Sequence, residues 1–92
     1  MDEKELENII EQTINGAIMT IPAYMEEIKE SKEILKVEDP KEFVYGMVMG
    51  MALGMSGAFL SSQSEAPTTE DQLKVRDMVY KSIPQIRERI FN

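Results

Sequence analysis

The sequence contains no cysteine and no histidine. Without cysteine there is no disulfide, no thiolate nucleophile and no thiolate metal site. Without histidine the commonest metal ligand is missing, and so is the usual general base near neutral pH. A Ser-His-Asp triad and the Glu-x-x-His di-iron pattern are both absent. There is no phosphate-binding loop either: Gly46 and Gly50 stand at helical spacing, and no Gly-Lys-Ser/Thr follows them. Glu26, Glu30 and Glu33 could share a helix face, but lysines interleave with them, so they read as a solvated surface. The residues thus suggest no catalytic group, no metal ligand and no cofactor, and the chain reads as a non-enzyme.

Positive charge is also scarce. The net charge is -7, and residues 1–42 account for all of it with 12 acids against 5 bases, while residues 43–92 carry 5 of each. A chain with no basic patch is a poor nucleic-acid binder. Its acidic N-terminal half is instead a candidate surface for a basic protein partner. The opening residues MDEKELENII lack the basic start and apolar run of a signal peptide, so no targeting segment is assigned and a cytoplasmic location is expected. No alternating stretch bounded by turn residues signals a strand. The expected class is all-α, as one helical domain over residues 1–92.

What the chain does have is residues 43–60, FVYGMVMGMALGMSGAFL, eighteen positions without a charge. Gly46, Gly50 and Gly54 recur every four residues, followed by Gly57 and Ala58, and Met47, Met51 and Met55 run beside them. On a helix the four glycines fall within roughly 80° of one another, with Ser56 and Tyr45 on the opposite side. Each glycine in a helix interior costs about 0.8–1 kcal/mol relative to alanine, so four cost roughly 3–4 kcal/mol. A small domain carries that only where close backbone approach returns something.

Around this stretch the chain punctuates itself. Residues 3–20 have a helical stripe of Leu6, Ile9, Ile10, Ile14, Ala17, Ile18 and Ile21. Gly16 in that helix is a candidate point of close approach. Pro22 kinks or restarts the helix, with Thr20 as the candidate N-cap, and the second segment runs to about Lys36 along Tyr24, Met25, Ile28 and Leu35. Asp39-Pro40-Lys41-Glu42 is a capping box that starts the central helix at Pro40, which should run to about Ser62. Residues 61–69 read as the main loop. Thr69 with Gln72 suggests a second capping box, opening a last helix over 70–91 that Pro84 interrupts, with a stripe of Val75, Val79, Ile83, Ile86 and Ile90. The two proline sites share a pattern of hydroxyl, Ile, Pro, any, apolar, any, Glu, any, Ile, at residues 20–28 and 82–90. Such a match suggests two outer helices that bend alike, although composition alone could produce it.

The expected architecture is a small bundle of three long helical units, the outer two broken at Pro22 and Pro84, around a central Gly/Met-rich helix. The narrow stripes of the outer units cannot hide every side of that helix, so a homodimer is expected to complete it. Gly46, Met47, Gly50, Met51, Gly54, Gly57 and Ala58 are the expected helix-packing or dimer-interface residues. Two other readings compete: a groove for an apolar ligand or partner helix lined by adaptable methionines, and a membrane-associated subunit that inserts residues 43–60. The membrane reading is disfavoured because the segment is short and lacks a basic flank. The expected function is a protein-interaction or assembly module.

Overall fold

The computed structural model describes residues 3–63 and 67–92. Six helices follow in order: α1 Glu3–Met19, α2 Ile21–Glu30, α3 Lys32–Leu35, α4 Pro40–Gln63, α5 Thr69–Lys81 and α6 Ile83–Phe91. No strand occurs among the described residues. The helix α4 touches α1, α2, α5 and α6, and α1 also touches α5. The architecture is therefore a three-unit bundle in which α1–α2 and α5–α6 are two broken arms laid along α4.

Both arms break by the same device. Thr20 and Ser82 each keep right-handed helical backbone angles (φ -79°, ψ -13° and φ -86°, ψ -6°), and neither side chain caps the helix that follows. The N–H of Thr20 reaches the carbonyl of Ala17, and that of Ser82 reaches Val79, so each break is one tightened turn. Thr20 is thus not the side-chain cap expected of it. Pro22 occupies the second helical position and offers no N–H, so the Thr20 hydroxyl turns back and donates to the carbonyl of Ala17 at 2.6 Å. Past each break the arm again presents an apolar stripe to the core. Ile21 and Ile28 are buried on one arm, and Ile86 and Ile90 on the other.

The α2–α3 segment ends in a Schellman turn. Lys36 takes left-handed angles (φ 56°, ψ 42°), its N–H meets the carbonyl of Glu33, and the N–H of Val37 meets that of Lys32 at 3.1 Å. Val37 is buried and anchors the turn, whereas Leu35, expected on the buried stripe, is 42% exposed.

The start of α4 is where the spacing placed it. The Asp39 carboxylate accepts the N–H of Glu42 at 3.2 Å. The Glu42 side chain, however, pairs with Arg87 of α6 (3.0 Å). At α5 the expected box is displaced by one residue: the cap is Thr68, paired reciprocally with Asp71, in place of Thr69 with Gln72. Both pairs fit the spacing, but only Asp71 adds a negative charge at the positive end of the helix dipole. Residues 61–63, expected in the loop, continue α4, and residues 64–66 of that loop lie outside the described residues.

The core is built on a single row of α4: Val44, Val48, Ala52, Ser56 and Leu60, four residues apart, all buried. Ile10, Ile14 and Ile18 of α1, Val75 and Val79 of α5, and Ile86 of α6 belong to the same apolar cluster. Within it the hydroxyl of Ser56, at 0% exposure, has no hydrogen-bond partner.

Two substitutions test these local features. Lys36→Gly relieves the left-handed strain and should raise unfolding stability by about 1 kcal/mol in a urea titration. Ser56→Ala removes an unpaired buried hydroxyl and should be stabilising by about 1 kcal/mol. A loss of stability in the second case would mean that the hydroxyl has a partner in solution.

Candidate interaction face

A helix apolar on all sides still has to choose which side faces its own core. In α4 the choice follows side-chain area. Each buried valine or leucine contributes roughly 1.5–3 kcal/mol, and a glycine contributes no side chain at all. The valine row therefore points inward, and the glycine row, on the other side of the helix, points out. Gly46, Gly50 and Gly54 are exposed, Gly57 is half-buried and Ala58 is exposed. A Cβ placed on any of the four glycines would meet nothing within 4 Å. The sequence left three packings open for these residues, a helix of the same chain, a second copy or another protein, and no described helix of the chain packs on them.

The methionines divide. Met47 and Met51 are half-buried and pack against the edge of the core. Met55 is 55% exposed. Phe43, one turn ahead of the first glycine, is 38% exposed. The outer face of α4 is thus a nearly bare backbone track with Phe43 near one end. Along its α1 side runs an open groove of about 430 Å³, lined by Gln12, Gly16, Ala17 and Thr20 of the first arm and by Met51 and Met55 of α4, among others. Gly16 belongs to this groove. Among the described residues, nothing lies within 4 Å of a Cβ placed there either.

No charged residue lies on α4 after Glu42. The charges gather elsewhere, and some of them pair. Lys74 of α5 bridges to Glu3 and Glu7 of α1. Arg87 of α6 donates to both Glu42 carboxylate oxygens, from Nη2 at 3.0 Å and Nη1 at 3.5 Å. Its guanidinium lies 4.6 Å from the centre of the Tyr45 ring and 4.4 Å from that of Phe91. The hydrogen bond that Arg87 donates to Glu42 raises the Arg87 pKa above its ordinary value, with desolvation opposing. This clamp ties α6 to the first turns of α4. Sequence reading missed it because its members are 45 positions apart (Glu42 to Arg87) and no periodicity links them.

No group of three or more acidic residues among the described residues could hold a metal ion. The grooves between α1 and α5 are lined by charges of both signs, including Glu7, Glu11, Lys74 and Lys81. What the outer face of α4 can do is admit another backbone closely. Compared with protein-family models, curated proteins and solved structures, the chain matches none.

The glycine row can be tested without a partner in hand. Gly50→Ala and Gly54→Ala meet no obstruction and gain helix propensity, so each should stabilise the isolated chain by about 0.8–1 kcal/mol. Thermal or urea unfolding in dilute solution reads this directly. Destabilisation would show that the face is already covered there.

Proposed function

We propose that this protein is a non-enzymatic interaction and assembly module of the cytoplasm, acting as a homodimer through the outer face of α4. The observation that carries the reading is the uncovered glycine row. Four glycines weaken the helix by roughly 3–4 kcal/mol in total, and among the described residues no close packing partner returns that free energy. Close approach of a second helix would, through dispersion contacts along bare backbone. The acidic outer surface of α1 to α3 belongs to the same reading as the surface for a basic protein partner, because the charge there is concentrated and largely exposed.

A second reading has one observation in its favour. Residues 40–63 form a helix long and apolar enough to cross a bilayer, and 28% of its most apolar window is buried. Insertion, however, would withdraw the Val44, Val48 and Ala52 row from the core it organises. Glycine also gains little from lipid, where helix association depends on packing between helices.

The test is mass in solution by light scattering at tens of micromolar, with Gly50→Leu as the comparison. The native chain should have twice the mass of the monomer and remain soluble without detergent. Gly50→Leu should be a folded monomer, because its side chain points away from the core. A monomeric native chain would overturn the homodimer, and an unchanged dimer in the variant would overturn the assigned surface.

A further inference from the structure

We infer that α6 is a strap: it opens as a unit about the turn at Ser82 while the rest of the bundle stays folded, and the grip of Arg87 on α4 is its fastening. Ionic strength then sets how often the apolar surface beneath it is uncovered. This device sits on the inner side of α4 and works in one chain alone. Three observations converge on it.

The first is attachment. The two arms break alike, but they are not held alike. The chain runs from α2 through α3 and the buried Val37 straight into α4, so α2 is tied at both of its ends. In contrast, α6 follows α5 across a single tightened turn and meets α4 through side chains. At that turn the Ser82 side chain caps nothing, its hydroxyl lies a long 3.5 Å from the Met78 carbonyl, and Pro84 offers no N–H. Two side chains of α6 are buried, Ile86 and Ile90, against five in α1. A short element with few buried apolar contacts is the kind that opens below the free energy of global unfolding.

The second is the fastening. Arg87 donates to both Glu42 carboxylate oxygens, and its guanidinium lies over the rings of Tyr45 and Phe91. The side chains of the ion pair remain 41% and 48% exposed, so salt screens their attraction. The stretch of chain that Arg87 grips holds Glu38, Asp39 and Glu42 against Lys41, and α6 itself holds Arg87 and Arg89 against Glu88. Strap and body thus attract each other beyond the single pair, and that attraction weakens with salt too.

The third is what lies beneath. Val44 stands in the chain between Glu42 and Tyr45, both of which Arg87 touches. It is fully buried, as are Val48 one turn on and Ile86 on the strap, and all three belong to one apolar cluster. Lifting α6 bares Ile86 and Ile90 and unroofs the Val44 end of the inner row. Meanwhile α1 and α5 go on packing against each other and against α4. The open state therefore presents an apolar patch at the N-terminal end of α4, edged by Glu42, that the closed state hides.

The test is native-state hydrogen exchange of the full chain, read at Arg89, Ile90 and Phe91 of α6 and at Val48 and Ala52 of α4. At low salt the α6 amides should exchange about tenfold or more faster than those of α4. Raising sodium chloride from about 20 mM to about 500 mM should speed α6 about threefold. Over the same range α4 should hold or slow, because salt relieves repulsion within a chain of net charge -7. Opposite signs separate strap opening from a change in overall stability. Glu42→Gln keeps the backbone N–H that Asp39 caps, and should speed α6 about fivefold, leave α4 unchanged and blunt the salt response. Equal protection of α6 and α4, or a rise in both together, overturns the inference, since α6 then opens only with the whole fold. A fast α6 that ignores both salt and Glu42→Gln overturns Arg87 as the fastening. The salt titration uses the native chain, so it decides the matter even where the variant folds poorly.

Discussion

The structure depends on one mismatch: α4 is apolar around its whole circumference, and the chain has helices enough to cover one side of it. The two arms are narrow-striped and of modest length, and both are used on the same side, where Val44, Val48, Ala52 and Leu60 give them area to bury. Burial energy grows with the apolar area removed from water. The richest row is therefore claimed first, and the glycine row, which has no side-chain area to offer, is left for whatever can profit from backbone proximity alone. The inner side stabilises the monomer by side-chain packing. The outer side contributes nothing to the monomer and weakens its helix propensity.

The arms are shaped to serve this one-sided cover. A straight helix as long as α1 and α2 together would diverge from α4 beyond a few turns, since packed helices cross at an angle. A break at Thr20-Ile21-Pro22 and another at Ser82-Ile83-Pro84 let each arm change direction once and lay a second apolar stripe against the same partner. The shared residue pattern at the two sites has a shared geometry: a helical hydroxyl residue, a tightened turn, and a proline where the missing N–H does no harm. Whatever the origin of the match, the two sites solve the same problem with the same residues.

Much of this was legible in the residues. The breaks at the prolines, the start of α4 at Pro40 under the Asp39 cap, and the isoleucine and valine stripes of α1, α5 and α6 all follow from spacing and backbone chemistry. Other features were not legible, for identifiable reasons. Spacing alone could not separate Thr68-Asp71 from Thr69-Gln72, because adjacent threonines offer the same hydroxyl. The Arg87 clamp joins residues distant in sequence, and a stacked guanidinium leaves no periodic trace. The orientation of α4 was hidden by its uniform polarity. Glycine spacing draws the eye as a packing motif, yet the valine row decides the fold, because side-chain area outweighs proximity where both are available. Comparing the two rows by area would have shown this: one is valine, valine, alanine, serine and leucine, and the other is nearly bare.

The proposed contact also limits itself. A face that is complementary to itself through a two-fold axis is consumed when two copies meet, so assembly closes at the dimer. A face complementary to some other region of the molecule would leave a free copy of each at every step and would build chains. Outside the α4 track the described surface is mixed: its N-terminal half is strongly acidic, while Met19 and Ile34 are 81% and 85% exposed. Closure of the proposed dimer therefore rests on the symmetry of the α4 face, and the segregation of charge away from residues 43–63 leaves that face an approach free of like charges.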